Sequence, residues 1–128
     1  TEKGSSAIVR QVRGQLNRLA LPNLESVCRL FLEQLYRQNA RSDVTDALVE
    51  CLMHEFEEIN QSLNLKSFAL VRAALVAVLA GMEGVEVGSA VLEALVHRFA
   101  KARENADTKV AIAAVHLLAN LYNLNVIH

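Results

Sequence analysis

His54-Glu55-Phe56-Glu57-Glu58 is the stretch whose residue types come nearest to a known chemistry. A zinc-protease helix also begins His-Glu, but it needs a second histidine four residues after the first, so that two imidazoles converge on one metal. Position 58 is Glu, and a solvated acidic face is the better reading. Cys28 and Cys51 fall among apolar positions, where a free cysteine behaves as a small hydrophobe. A thiolate nucleophile needs a base and a positive neighbour, and the sequence shows no such partner. His97 and His116 have no second ligand at metal spacing. Gly81, Gly84 and Gly88 make no phosphate loop, because no strand precedes them and no Lys-Ser or Lys-Thr follows. No catalytic, cofactor-binding or metal-binding residue is therefore expected, and the chain does not read as an enzyme.

The remaining chemistry is charge. Residues 1–41 carry seven basic and three acidic side chains, a net +4, whereas residues 42–67 carry six acidic and one basic, a net −5. Arg10, Arg13, Arg18, Arg29, Arg37 and Arg41 could touch a phosphate backbone. Trp is absent and Tyr numbers two, so no aromatic platform exists for stacking bases. Contact with RNA would be to backbone and salt-dependent, with Arg10, Arg13 and Arg18 as the candidates.

Those residues must be carried by helices. Leu and Ala make up 38 of the 128 residues, against five Gly and one Pro, too little punctuation for a many-stranded fold. The apolar content excludes a disordered tail, and two cysteines without metal spacing do not make a secreted disulfide scaffold. No apolar segment follows a basic start, and the charge-free run 110–128 is broken by His116, Asn120, Asn123 and Asn125. A soluble, all-helical protein is expected.

Apolar periodicity and end signals predict six helices. The first, Ser5 to Leu19, turns Val9, Val12, Leu16 and Leu19 inward, with Gly14 explained by the close approach of another helix. After Pro22, Asn23 caps a second helix to about Asn39. Its buried side is Leu24, Val27, Cys28, Phe31 and Leu35. Ser42 caps the third, whose core stripe is Leu48, Leu52, Phe56 and Ile59 beside the acids Asp46, Glu50, Glu57 and Glu58. Past Asn60-Gln61-Ser62, a fourth runs from Leu65 to Gly81, apolar nearly all round and so covered on several sides. Gly81 or Gly84 ends it. A fifth runs from Val87 to Arg103, and a sixth from Thr108 to Tyr122 is capped by Asn105 or Asp107.

Helix midpoints recur about every twenty residues, the length of half a HEAT or armadillo repeat. A closed bundle predicts similar helices, so periodicity alone leaves both architectures open.

Specific segments go further. Val12-Arg13-Gly14-Gln15-Leu16-Asn17-Arg18-Leu19 resembles the opening helix of MIF4G domains, the HEAT-repeat fold named after the middle part of eukaryotic initiation factor 4G. Leu35-Tyr36 with Ala40-Arg41-Ser42-Asp43-Val44 continues the resemblance, as do Val85-Glu86-Val87-Gly88 with Leu92-Glu93-Ala94, and Leu121-Tyr122-Asn123-Leu124-Asn125-Val126. The branch most resembled is the nucleolar MIF4G, or glycerol-defect suppressor, family. The second half, from Ala74-Leu75-Val76-Ala77 to the end, also resembles the spliceosomal MIF4G protein that holds an exon-junction helicase.

The resemblance implies a HEAT-like solenoid of three helical hairpins, the N-terminal portion of one domain that normally has about five. It implies a scaffold that needs no cofactor or small-molecule substrate. The partner would be a DEAD-box helicase of the initiation-factor-4A type, engaged in small-subunit pre-ribosomal RNA processing in the nucleolus. A spliceosomal, exon-junction or translation-initiation adaptor is the alternative, as is an RNA-contacting module of the pre-ribosome. Carried onto this chain, the helicase-contact candidates are Asn39, Arg41, Ser42 and Asp43; Glu83, Val85 and Glu86; and Glu104, Asn105 and Asp107.

Overall fold

A computed structural model describes residues 2–58 and 64–126, with side chains from Ser6 onward. Its helices are α1 (Glu2–Arg18), α2 (Leu24–Leu30), α3 (Tyr36–Gln38), α4 (Arg41–Glu57), α5 (Leu65–Glu83), α6 (Val85–Glu104) and α7 (Thr108–Asn123). A π-helical segment, Phe31–Leu35, joins α2 to α3 without a break, so these three pieces form one rod. Six rods result, and no strand occurs among the described residues.

The rods alternate in direction and lie in two layers. In one layer α1 packs on α4 and α4 on α6; in the other α2 packs on α5 and α5 on α7. This is the arrangement of three stacked hairpins, an all-α HEAT-like solenoid, and it decides between the two architectures that periodicity left open. One end of the stack, the near end, holds the turn before α4, the Gly84 turn and the residues after α7. The far end holds Leu19 to Asn23 and the turn between α6 and α7. At a rise of about 1.5 Å per residue, helices of this length separate the two ends by about 25–30 Å.

The core is continuous through all three hairpins. Val12, Leu16, Phe31, Leu48, Leu52, Phe56, Leu75, Leu79, Leu95, Leu117 and Leu121 are essentially inaccessible. Each contributes about 1.5–3 kcal/mol on burial. In α1 the inward stripe starts at Ile8 instead of Val9, which is only half-buried. Ile59 and the break at Asn60 to Ser62 lie outside the described residues.

The π segment follows from side-chain phase. At 100° per residue an unbroken α-helix that buries Val27 and Phe31 would turn Tyr36 to the opposite side. The wider turn absorbs one residue, so Phe31, Leu35 and Tyr36 all reach the core. There the Tyr36 hydroxyl hydrogen-bonds Thr45 Oγ1 at 3.0 Å.

Several end signals are built differently from expectation. Asn23 is no side-chain cap: its Oδ1 accepts from the Ala20 amide at 2.7 Å and its Nδ2 donates to the Arg18 carbonyl, clasping the Pro22 turn. Proline has no amide hydrogen, and the asparagine supplies bonding that the turn lacks. Ser42 does not cap α4 either, since the helix already begins at Arg41 after the extended residue Ala40. Gly14 faces solvent with nothing within 4 Å of a added Cβ, so no close helix accounts for it. Asp107 does cap α7, accepting from the Val110 amide at 3.2 Å. Gly84 ends α5 and is alone the link to α6, at φ +128, a conformation open to glycine.

α5 is long and apolar enough, by length and composition, to cross a bilayer. Within this fold its apolar character serves packing against α2, α6 and α7. Arg72 at its centre is 7% exposed and pairs with Glu55 of α4 through Nε at 3.0 Å and Nη2 at 2.8 Å. Its Nη2 also donates to the Leu16 carbonyl at 3.0 Å, and its guanidinium lies 4.0 Å from the Phe68 ring centre. Glu55 therefore leaves the acidic face on which the sequence places it. One cation ties α1, α4 and α5 together.

Candidate functional site

Of the residues the sequence offered for chemistry, the two cysteines are buried and His54 is paired. Burial pushes the Cys28 thiol above its ordinary range. It does the same at Cys51, where Arg13 pulls the other way, and the Cys51 thiol donates weakly to the Val9 carbonyl. Raised thiols are poor nucleophiles. His54 pairs with Glu58 at 3.1 Å on an exposed surface, His97 is exposed and His116 half-buried. Among the described residues no three His, Cys, Asp or Glu side chains converge as metal ligands would.

What the fold does assemble is the near end. The turn entering α4 carries Asn39, Arg41, Ser42 and Asp43; the Gly84 turn carries Glu83, Val85 and Glu86. Asn39 is fixed by donating to the Leu35 carbonyl at 3.0 Å, while Arg41, Ser42 and Asp43 are exposed. A Cβ on Gly84 would collide with the Glu86 carboxylate and lie 4.0 Å from the Arg41 guanidinium, which places the two turns side by side. Tyr36 registers the same proximity. Its hydroxyl is raised chiefly by burial, opposed by the Thr45 hydrogen bond, with lesser contributions from Glu83 and Arg41.

The tail of α7 completes this end. After Asn123 the chain reverses through Asn125 at φ +62, with Val126 donating to the Leu121 carbonyl at 2.9 Å. This Schellman closure lays Val126 on Gly88, where a Cβ would come within 2.8 Å of the valine side chain. Between them and α5 is a groove of about 450 Å³, lined by Ala77, Gly81, Val85 and Leu124 among others. Val85, which lines the groove, is 75% exposed, and Met82 in the last turn of α5 is 68% exposed; the sequence signalled them only by placing valine and methionine beside turn glycines.

Glu104, Asn105 and Asp107 are not part of this surface. They lie at the far end, a helix length away, and the Asp107 carboxylate is engaged as the α7 cap. The basic candidates also divide. Arg10 and Arg13 share one exposed face of α1 at i, i+3. Arg18 is turned aside, donating to Gln15 at 2.8 Å and Ser26 at 3.5 Å.

Comparison with known proteins fits this architecture. The chain is 33% identical over 119 residues to Nucleolar MIF4G domain-containing protein 1 of mouse, and equally to that of human, covering 92% of this chain. It is 32% identical over 90 residues, 70% of its length, to Suppressor of glycerol defect protein 1 of fission yeast. The chain belongs to the MIF4G family. It spans 14% of the length of the mouse and human relatives and 11% of the yeast one. No protein-family model matches it. Its nucleolar MIF4G relatives place it in the nucleolus or nucleus, and MIF4G proteins are generally non-enzymatic scaffolds.

Proposed function

We propose that this MIF4G chain is the N-terminal portion of a scaffold domain that binds and regulates a 4A-type DEAD-box helicase during small-subunit pre-ribosomal RNA processing and ribosome biogenesis. The observation that carries the reading is the near end, where Arg41 and Glu86 of successive hairpins stand together beside the exposed Val85 and Met82. Adjacent turns of a solenoid offer a partner several contacts at fixed separation, with no pocket required. Charge of both signs around an apolar patch suits recognition of a folded protein surface. In this reading the scaffold acts by holding the helicase's two lobes in a productive relation.

The test is direct. The chain is mixed with a 4A-type helicase, and both association and RNA-stimulated ATP hydrolysis are measured. Binding that is lost on combining Arg41→Glu with Val85→Asp, together with an altered ATPase rate, is expected. No binding at micromolar concentration would sink the proposal.

A second reading has its own support in the exposed Arg10 and Arg13 ridge. In it α1 touches the ribosomal RNA backbone within the pre-ribosomal particle. Affinity should then fall steeply as salt rises, and Arg10→Glu with Arg13→Glu and Arg18→Glu should abolish it. Salt-insensitive binding would exclude this contact.

A further inference from the structure

Midway between the two ends, on the face formed by α4 and α6, a second groove of about 490 Å³ opens to solvent. Val49, Ala90 and Ala94, all half-buried, make its floor; the two alanines are why it is hollow. Asp46 and Glu50 stand along the α4 side, one turn apart, and Glu93 and His97 along the α6 side, likewise one turn apart. All four rim residues are exposed, and none of the three carboxylates joins an ion pair among the described residues. The groove is thus apolar along its middle and carries carboxylates along both edges, its α4 wall lying within residues 42–67, whose net charge is −5.

We propose that this groove docks a basic amphipathic segment of a protein partner, one that seats an aliphatic side chain over Ala90 and Ala94 and sets Lys or Arg against Asp46, Glu50 and Glu93. Three carboxylates repel a phosphate backbone, so nucleic acid does not fit here, whereas Lys and Arg complement both edges at once. Their long apolar stems add contact along the walls before the charge is reached. The aliphatic anchor supplies what charge alone lacks, since exposed ion pairs contribute little by themselves. The proposal is separate from the helicase reading, because no near-end residue takes part in it.

The experiment uses the whole chain and a short synthetic peptide with a leucine stripe flanked by lysines. Fluorescence anisotropy reads binding, and backbone amide shifts locate it. Expected are saturable binding, shifts concentrated in residues 46–50 and 90–97, and binding at least about tenfold weaker for Asp46→Asn/Glu50→Gln/Glu93→Gln. A peptide with alanine in place of leucine, or glutamate in place of lysine, should bind at least as much more weakly. Ala94→Met, and separately Ala90→Met, fill the floor without changing charge and should weaken binding to a similar degree while the helical melting curve is kept. The proposal is overturned if the charge-neutral variant binds like the parent, if the leucine-free peptide binds equally well, or if the shifts fall on α1 or the near end instead. Stronger capture of RNA than of the peptide in this groove would overturn it too.

Discussion

Removing Arg72 leaves Glu55 with its charge largely desolvated and no counter-ion, since the pair's side chains are only 9% and 16% exposed. Stranding one member of a buried pair costs about 3–5 kcal/mol, while replacing both by apolar groups is often nearly neutral. Urea unfolding should therefore show Arg72→Met losing about that much and Arg72→Met/Glu55→Leu recovering most of it. A single variant within about 1 kcal/mol of the parent would contradict the pairing. Ala106 invites the opposite change. It ends α6 at φ +54, where Asp107 donates to the Ala102 carbonyl at 2.8 Å. An alanine Cβ in this left-handed region costs about 1–2 kcal/mol, which glycine avoids at some entropic expense. Ala106→Gly should raise the melting temperature slightly, with a gain of about 0.5–1 kcal/mol. A fall in stability would contradict this account. Neither feature was legible in the sequence. Arg72 is one basic residue in an apolar run, and nothing linear connects it to Glu55 seventeen positions earlier.

Helix number and spacing were legible, because the inward stripes of α4 and α7 keep the helical period over several turns. The π segment was not. Period reading assumes one phase per helix, and Phe31 to Leu35 changes phase inside an otherwise continuous rod. The extra residue makes a sharp prediction. Deleting exposed Gln34 should convert the segment to regular α-helix while Phe31, Leu35 and Tyr36 stay inward, so circular dichroism and melting should be nearly unchanged. Deleting Val49 from the regular helix α4 should instead rotate Cys51, Leu52 and Phe56 off the core and abolish cooperative unfolding. Equal damage from both deletions would refute the phase argument. Caps were legible in part, as Asp107 bears out. Asn23 and Ser42 misled because good capping residues also serve turns and first-turn positions.

Across the whole molecule, the division between the two ends governs which residues can act together. Chain order lists 39–43, 83–86 and 104–107 as three equivalent turns, but alternating helix direction sends the third to the opposite end. Which turns share an end follows from counting rods; which side chains meet there needs the packing. If the near end binds a helicase, a double-mutant cycle between Arg41→Ala and Glu86→Ala should give a coupling of at least about 0.5 kcal/mol in binding. Arg41→Ala with Glu104→Ala should give none beyond error. Coupling of equal size to Glu104 would mean that a partner bridges both ends.

Gly84 gives this division a mechanical meaning. With a single residue between α5 and α6, the third hairpin has no slack in which to move alone. Torque applied to α6 at the near end passes straight into α5, whose Arg72 is pinned to Glu55 and to the Leu16 carbonyl. A partner that tugs on Glu86 should therefore load the first hairpin as well as the third, as a lever would.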